Sequence, residues 1–502
     1  MYSRLFTRFT AALLVLLMVF AAVSCGGDGS SGTSDTTAAD DQVQTDSAET
    51  EPAYKYPTVK YDGYKFRVIN LDEFYNCYVT IDITEQTGEA VDDEVYARNA
   101  KIEDMLDIEI NEIKEHFAGW NDGVKPIDKL SAAVLAGDDT YDCGYLLLSF
   151  KPAVMTDGHL INLNTIPELQ LKEEWWDTFL NGTLEISGKL YAATSPLQLT
   201  SLDLSWVLLF NKHLFDSYKV DYPYQDVRNG SWTIDNMNEY LNKLVNLNGD
   251  DDFGFKFDGN SIYGVAAHSA TGAYLFMLSA GNTFISRKDD GSLYYTGESE
   301  RLFNSLEKLK TLLNVKQGHA LYNAQDKLDD TGGGYYSLFI NNRAAFLTTE
   351  LKGAKVMRVM DSDYGILPAP KYDESQDNYI TYCSENVGRM SIPVTNSDLA
   401  RTGIILDVLS YESYANVLPL YYDSTLSQKG LRDEDSIEML NIINVGRMTE
   451  VGKIYGTTSA LVNALSDMVK NNADTAASIM ASNAATVESN LQKLVEAIDK
   501  LP

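Results

Sequence analysis

The sequence predicts an α/β fold, and three observations carry that prediction. Between Lys65 and Leu148 strand-like and helix-like apolar patterns alternate as β-α-β-α-β. A second strand–helix region follows from about 261 to 385. Helical periodicity then dominates from Asp435 to about 499. An alternating run of this kind implies a parallel sheet with helices on its faces.

The elements follow in order. Lys65–Leu71 is rich in β-branched and aromatic residues after a glycine turn and reads as a first strand. Residues 89–106 place Val91, Val95, Ala97, Ile102, Met105 and Leu106 near helical spacing. Ile108–Ile113 is a second strand, 126–136 a helix closed by Gly137, and Tyr141–Leu148 a third strand. Parallel sheets bind ligands at the carboxyl ends of their strands, which puts Glu73, Phe74, Tyr75 and Ser149 at a mouth. At 231–237 Thr233 is placed to cap a helix, Asp235 favours its positive end, and Trp232 packs on Met237 as a staple, so Trp232 reads as structural. A helix over 300–315, a strand over Ala344–Thr349, a helix over Asp435–Val445 and a long Ala-rich helical stretch over 457–499 complete the order. No repeat period runs along the chain.

Composition narrows the function. Of 502 residues 44% are apolar, ample for a large core, and 40 Lys and Arg face 72 Asp and Glu for a net charge of −32. So acidic a surface repels nucleic acid and anionic headgroups, and nucleic-acid binding is set aside. By length, about three domains of about 150 residues, or large interleaved lobes, fit equally.

The first residues read as an export signal. Arg4 and Arg8 precede an apolar run from Phe9 to Val23, too short to span a bilayer, which needs about 20 residues. The run closes in Ala22-Val23-Ser24-Cys25, which resembles a lipoprotein lipobox, with Ala22 where Leu is usual; an ordinary secretory signal cut near Ala22 is the alternative. The resemblance implies a signal peptide over 1–24, lipidation of Cys25 and attachment to the membrane by the lipid alone. Residues 26–52 are Gly, Ser, Thr, Asp, Ala and Glu with almost nothing to bury, and read as a disordered tether. Within it, the G-x-G-x-x-G match at 27–32 has no strand before it and no helix after it, and carries no chemistry.

Cys77, Cys143 and Cys383 are too few and too widely spaced for a disulfide framework; they read as buried small side chains. The oxygen-rich 246–258 segment places Asn248 and Asp250 as a calcium loop would. It has Asp251 at the position of the required Gly and Phe257 at that of the bidentate Glu, so a solvated acidic turn is expected. Trp175 and Trp176 read as packing residues.

Several ordered blocks resemble the extracellular solute-binding proteins of ABC importers, in the carbohydrate-binding family that includes maltose-binding-like proteins. They are 188–215, GKLYAATSPLQLTSLDLSWVLLFNKHLF; Trp232-Thr233; Tyr263-Gly264; Asn341–Phe346; Asp363–Lys371, DYGILPAPK; and Arg432-Asp433 with Ser436, Met439 and Leu440. The resemblance implies a two-lobe periplasmic-binding-protein-like fold with hinge-crossing strands and a helical C-terminal segment. Lobe one would hold 56–195 plus 390–430, and lobe two 196–385 plus 435–502. Crossings would fall near Tyr191–Leu197, Tyr382–Ile392 and 425–435. A monomer closing on a small polar solute, an oligosaccharide for preference, and delivering it to permease subunits is the implied role, with no cofactor and no metal. Such a cleft needs aromatic faces and hydrogen-bonding side chains, and Glu73, Tyr75, Trp120, Trp206, Thr271, Glu350 and Glu385 are the candidates. For Trp120 and Trp206 core packing is an equal alternative. After Phe346 many sugar binders carry a Trp, whereas Leu347–Leu351 here offers hydrogen bonds and no ring.

The rival is a surface glycan hydrolase, which needs two carboxylates about 5–9.5 Å apart. With 72 acids, pairs are available anywhere and signal nothing. G-x-S-x-G, H-E-x-x-H and the P-loop motif are missing, and the five histidines have no metal spacing. A mostly helical glycan-binding lipoprotein is a third possibility, which the early β-α-β-α-β run opposes.

Overall fold

The computed structural model describes residues 54–256, 258–323, 334–426 and 434–502. The expected signal segment, Cys25, the whole of the tether, Phe257 and most of the crossing expected near 425–435 lie outside the described residues. Lys55–Pro502 form one compact unit.

The first lobe is built on β1 (Tyr64–Leu71), β2 (Ile108–Glu115) and β3 (Cys143–Leu146). β1 is the centre: it runs parallel to β2 in register from Tyr64 opposite Ile108 to Leu71 opposite Glu115, and parallel to β3 on its other side. The connecting helix Ala90–Leu106 turns Val95, Ile102 and Leu106 inward and ends where Asp107 adopts φ 51°. The second, Lys125–Ala136, ends at Gly137, whose φ of 72° suits a residue without a Cβ. β3 is shorter than the expected Tyr141–Leu148 because Leu148–Phe150 turn into a 3-10 helix at its carboxyl end.

The second lobe follows as β4 (Trp206–Asn211), β5 (Tyr263–His268), the hairpin β6 (Ile285–Arg287) and β7 (Leu293–Tyr295), β8 (Ala320–Asn323), β9 (Ala344–Glu350) and β10 (Tyr364–Leu367). Its sheet has the order β10-β4-β9-β5-β8. The Phe210-Asn211-Lys212 block has a local structural role. Asn211 ends β4, caps the next helix by accepting from Leu214 N at 3.1 Å, and donates to Asn342 Oδ1 at 2.8 Å. Trp232 is fully buried with its Nε1 donating to the Pro368 carbonyl at 3.0 Å, and Thr233 caps Ile234–Leu244 as expected. The helix from Glu300 stops at Leu312 rather than 315, because Asn314 caps a separate 3-10 turn.

The chain then makes β11 (Thr381–Tyr382), returns to the first sheet as β12 (Arg389–Ser391), antiparallel to β3, and passes out again as β13 (Arg447–Met448), parallel to β11. Ser205 bridges Cys383 beside them, so Leu204–Trp206, Thr381–Ser384 and Gly446–Thr449 lie together as the passage between lobes. The first passage comes later than Tyr191–Leu197 because Ala193 still pairs with Met390 of the first sheet. The third is seen at β13.

The Ala-rich 457–499 stretch is two helices, Ser459–Lys470 and Ala476–Asp499. Asn472 takes φ 50° and Ala473 N closes back on the Met468 carbonyl at 3.0 Å, which ends the first of them. Both Trp175 and Trp176 donate to Asp407 Oδ1, at 3.0 and 2.9 Å, as packing residues with satisfied nitrogens. Cys77, Cys143 and Cys383 are all buried. In the 246–258 loop, Asp250 Oδ2 accepts from the Asn260 and Ser261 amides and the Ser261 hydroxyl, each at 2.7 Å, and so closes the turn on itself. Among the described residues, no helix is long and apolar enough to cross a membrane.

Candidate functional site

The site is assembled where the carboxyl ends of β1 and β3 meet the passage between lobes. After β1 the chain makes a tight turn in which Tyr75 and Asn76 both have positive φ, 47° and 61°. Glu73 Oε1 accepts from Asn76 N at 2.9 Å, and Cys77 N donates to the Phe74 carbonyl at 2.9 Å. Phe74 is buried beneath the turn and packs edge-on against Tyr75, Phe117 and Phe150, with centroids 5.2, 5.3 and 6.3 Å away. Tyr75 also packs edge-on to Phe117 at 5.0 Å, and Trp120 lies over Phe150 at 4.5 Å. The half-buried Phe150 packs directly on Gly123, where a Cβ would meet its ring at 2.7 Å. Tyr75 is 39% exposed against the buried rings of Phe74 and Phe117, and Trp120 is 53% exposed against the half-buried ring of Phe150. Ser149, at the end of β3, donates to Asn386 Oδ1 at 2.7 Å and ties this mouth to the second passage.

On the other lobe Trp206 opens β4 directly opposite Glu350, which closes β9. Trp206 is 5% exposed, stacked on Tyr382 and tilted against His268 at 5.8 Å. The Tyr382 hydroxyl donates to the Glu385 carboxylate, whose other oxygen pairs with Lys453 at 3.2 Å. Thr271 precedes the buried helix Gly272–Ser279 and its amide donates to His268 Nδ1 at 3.3 Å. Glu350 pairs with Lys352 at 3.1 Å, and Lys352 Nζ donates to the Tyr75 carbonyl of the first lobe at 2.8 Å.

The structure thus links Tyr75, Trp120, Trp206, Thr271, Glu350 and Glu385 through rings, His268, Lys352 and Tyr382. Glu73 stays within its own turn. Sequence reasoning missed Lys352, Tyr382, Lys453 and the buried Glu450, which follows β13 and accepts from Phe284 N at 2.8 Å and Ile285 N at 3.0 Å. Burial opposes the Lys352 ammonium, yet Glu350 and the Cys77 sulfur hold its pKa above the ordinary lysine value. Burial raises Glu450 to about 7, against the two amides, the Tyr274 hydroxyl and Lys453, which pull it down. Burial also drives the Tyr382 hydroxyl well above its usual range. Among the described residues no group of three or more His, Cys, Asp or Glu is placed to hold a metal ion. Two cavities, of about 270 and 240 Å³, lie elsewhere: one between Pro152–Thr156 and the C-terminal helix, the other beside Phe255 and Arg343.

No protein-family profile matches this sequence, and no curated protein matches it. Solved structures do resemble the fold. A sugar transporter from Rhizobium etli in an open conformation aligns at TM-score 0.56 and 15% identity, over 88% of this chain and 100% of that one. A cyclo/maltodextrin-binding protein complexed with maltotetraose aligns at 0.56 and 14%, over 87% and 99%. An ABC substrate-binding protein from Listeria monocytogenes in complex with cycloalternan aligns at 0.50 and 15%, over 87% and 100%. The fold is that of the two-lobe periplasmic-binding-protein type. In such a two-lobe fold the mouth described above, between the strand ends of the two sheets and beside their crossing segments, is the interlobe cleft.

Proposed function

We propose that this chain is the solute-binding component of an ABC importer, that its solute is an oligosaccharide, and that the lobes close on it about the three passages. One observation carries the proposal: two exposed rings, Tyr75 and Trp120, are braced on Phe74, Phe117 and Phe150 at the carboxyl end of the first sheet, within one contact network with Glu350, Lys352, Glu385 and Lys453. Sugars present apolar C–H faces to flat rings and hydroxyls to charged and amide groups, which is the pairing available here. Neighbours of this fold solved with maltotetraose and cycloalternan support the same class of ligand. Closure follows from differential contacts: a solute touching both lobes favours the closed population. In this reading the protein works as a monomer, hands its solute to permease subunits, and is held at the outer face of the cell membrane by lipid on Cys25.

The test is a titration of the protein with mono- and oligosaccharides, amino acids, peptides and polyamines, followed by recovery of the bound molecule. Saturable binding of an oligosaccharide recovered intact supports the proposal. Binding of peptides or polyamines in its place discards the sugar, and a cleaved glycan overturns the binding role. Incorporation of a lipid label that is lost in Cys25→Ala tests the anchor.

A further inference from the structure

The lysine that joins the two halves of the site is placed too deliberately to be a surface cation. Lys352 is the second residue of the 3-10 helix Leu351–Val359, which follows β9. A run of nine residues in that conformation is long, since its hydrogen bonds are poorer than those of an α-helix. Its start is fixed twice. Leu351 N donates to the Ser205 carbonyl of the first passage at 2.8 Å, and a Cβ on Gly353 would run into the Thr349 and Tyr336 hydroxyls, so the backbone lies flat on β9. The Lys352 side chain is 15% exposed, and its three donors are aimed at Glu350 Oε2 at 3.1 Å, Cys77 Sγ at 3.4 Å and the Tyr75 carbonyl at 2.8 Å. Two of these acceptors belong to the other lobe.

What Lys352 holds there is a turn that needs holding. A positive φ of 47° is unfavourable for a residue as bulky as Tyr75, whereas Asn76, at φ 61°, tolerates it. Within its own lobe the turn has the Glu73 and Phe74 bonds and edge contacts between rings. One turn along the 3-10 helix, Lys355 lies 3.8 Å from Asp203, which in turn accepts from Tyr78 N at 2.6 Å, just beyond the same turn. Lys352 thus holds residues 75–77 from the second lobe, while Asp203, beside the first passage and paired with Lys355, holds Tyr78.

We propose that Lys352 is a positioning residue of the solute site: from the second lobe it sets the strained Tyr75 turn of the first, so that the Tyr75 ring takes its binding orientation when the lobes are together. The inference rests on the cleft being the solute site, but its test needs no solute. Hydrogen exchange of the ligand-free full chain is measured for wild type, Lys352→Met and Lys352→Arg. The expected result is at least tenfold faster exchange of the 76–78 amides in Lys352→Met, unchanged exchange in β1, and wild-type protection regained in Lys352→Arg. Unchanged 76–78 exchange in Lys352→Met overturns the proposal. So does equal loss in both variants, or loss that spreads through β1, since each marks ordinary packing. A failed solute titration with the expected exchange pattern would refute the sugar reading and leave the positioning intact.

Discussion

Trp206 and Tyr382 stack across the passage between lobes, their ring planes 24° apart and their centroids 6.3 Å apart. One belongs to the first strand of the second sheet and the other to the second passage, so the stack sits at the junction of the two lobes. It is nearly buried, unlike the Trp120 face on the first lobe.

That contrast separates two substitutions. Trp206→Ala should cost about 3–5 kcal/mol of stability, the range for deleting a buried large aromatic. Trp120→Ala should change stability by less than about 1 kcal/mol and weaken solute binding about tenfold, or ~1.4 kcal/mol. Denaturant melts and titrations on the two variants check both halves. Equal losses of stability would remove the distinction.

Glu450 makes stability depend on pH. Its folded pKa of about 7 lies above the 4.5 of a free carboxyl, so the native state holds the proton more tightly than the unfolded chain. The contribution is fully present below about 4.5 and is lost as pH rises toward about 7, up to about 3 kcal/mol in all. The groups facing it are the Phe284 and Ile285 amides, the Tyr274 and Thr458 hydroxyls and Lys453. Glu450→Gln, which imitates the protonated acid, should flatten the fall in melting temperature between pH 5 and 7.5. A variant with the wild-type slope would assign the fall to other groups.

Asp203 anchors the first passage. Its buried carboxylate accepts from Tyr78 N at 2.6 Å and the Tyr421 hydroxyl at 2.8 Å. Asp203→Asn replaces one acceptor by a donor and leaves a buried partner unsatisfied, which should cost about 1–3 kcal/mol. A denaturant midpoint within error of wild type would contradict this.

Lys189 of the first lobe donates to the carbonyls of Ile498 at 3.1 Å, Asp499 at 3.2 Å and Leu501, capping the end of the C-terminal helix. A cation there is worth about 0.3–1 kcal/mol. In Lys189→Met the amides of 496–501 should exchange faster while those of 480–490 stay as they were; protection that does not change would show the helix end is held by packing alone.

How much of this was legible in the sequence follows from the range of each interaction. β1, the helix after it, β2, the Gly137 stop and the Thr233 cap are written in local period and capping chemistry, and the structure has them within a residue or two. The break at Asn472 was hidden by an Ala-rich composition that favours helix on both sides. β4 is buried on both faces, so alternation within Trp206–Asn211 gives no sign of which side meets the cleft. Lys352 was invisible for another reason: its acceptor Tyr75 lies 277 residues away, and only the folded passage brings them together. The same holds for Glu450, whose amide donors at residues 284 and 285 lie 166 and 165 residues away in the chain.

The central claim, capture of an oligosaccharide between two lobes, is tested most directly by a thermal-shift screen of the protein against sugars, amino acids, peptides and polyamines. A solute at 100 times its Kd should add about 2.7 kcal/mol to the folded state, which raises Tm by a few degrees in a chain of this size. A shift selective for an oligosaccharide, reduced in Trp120→Ala, is the predicted result. A shift with peptides or polyamines alone, or an oligosaccharide shift that Trp120→Ala and Tyr75→Ala both leave intact, would contradict the account.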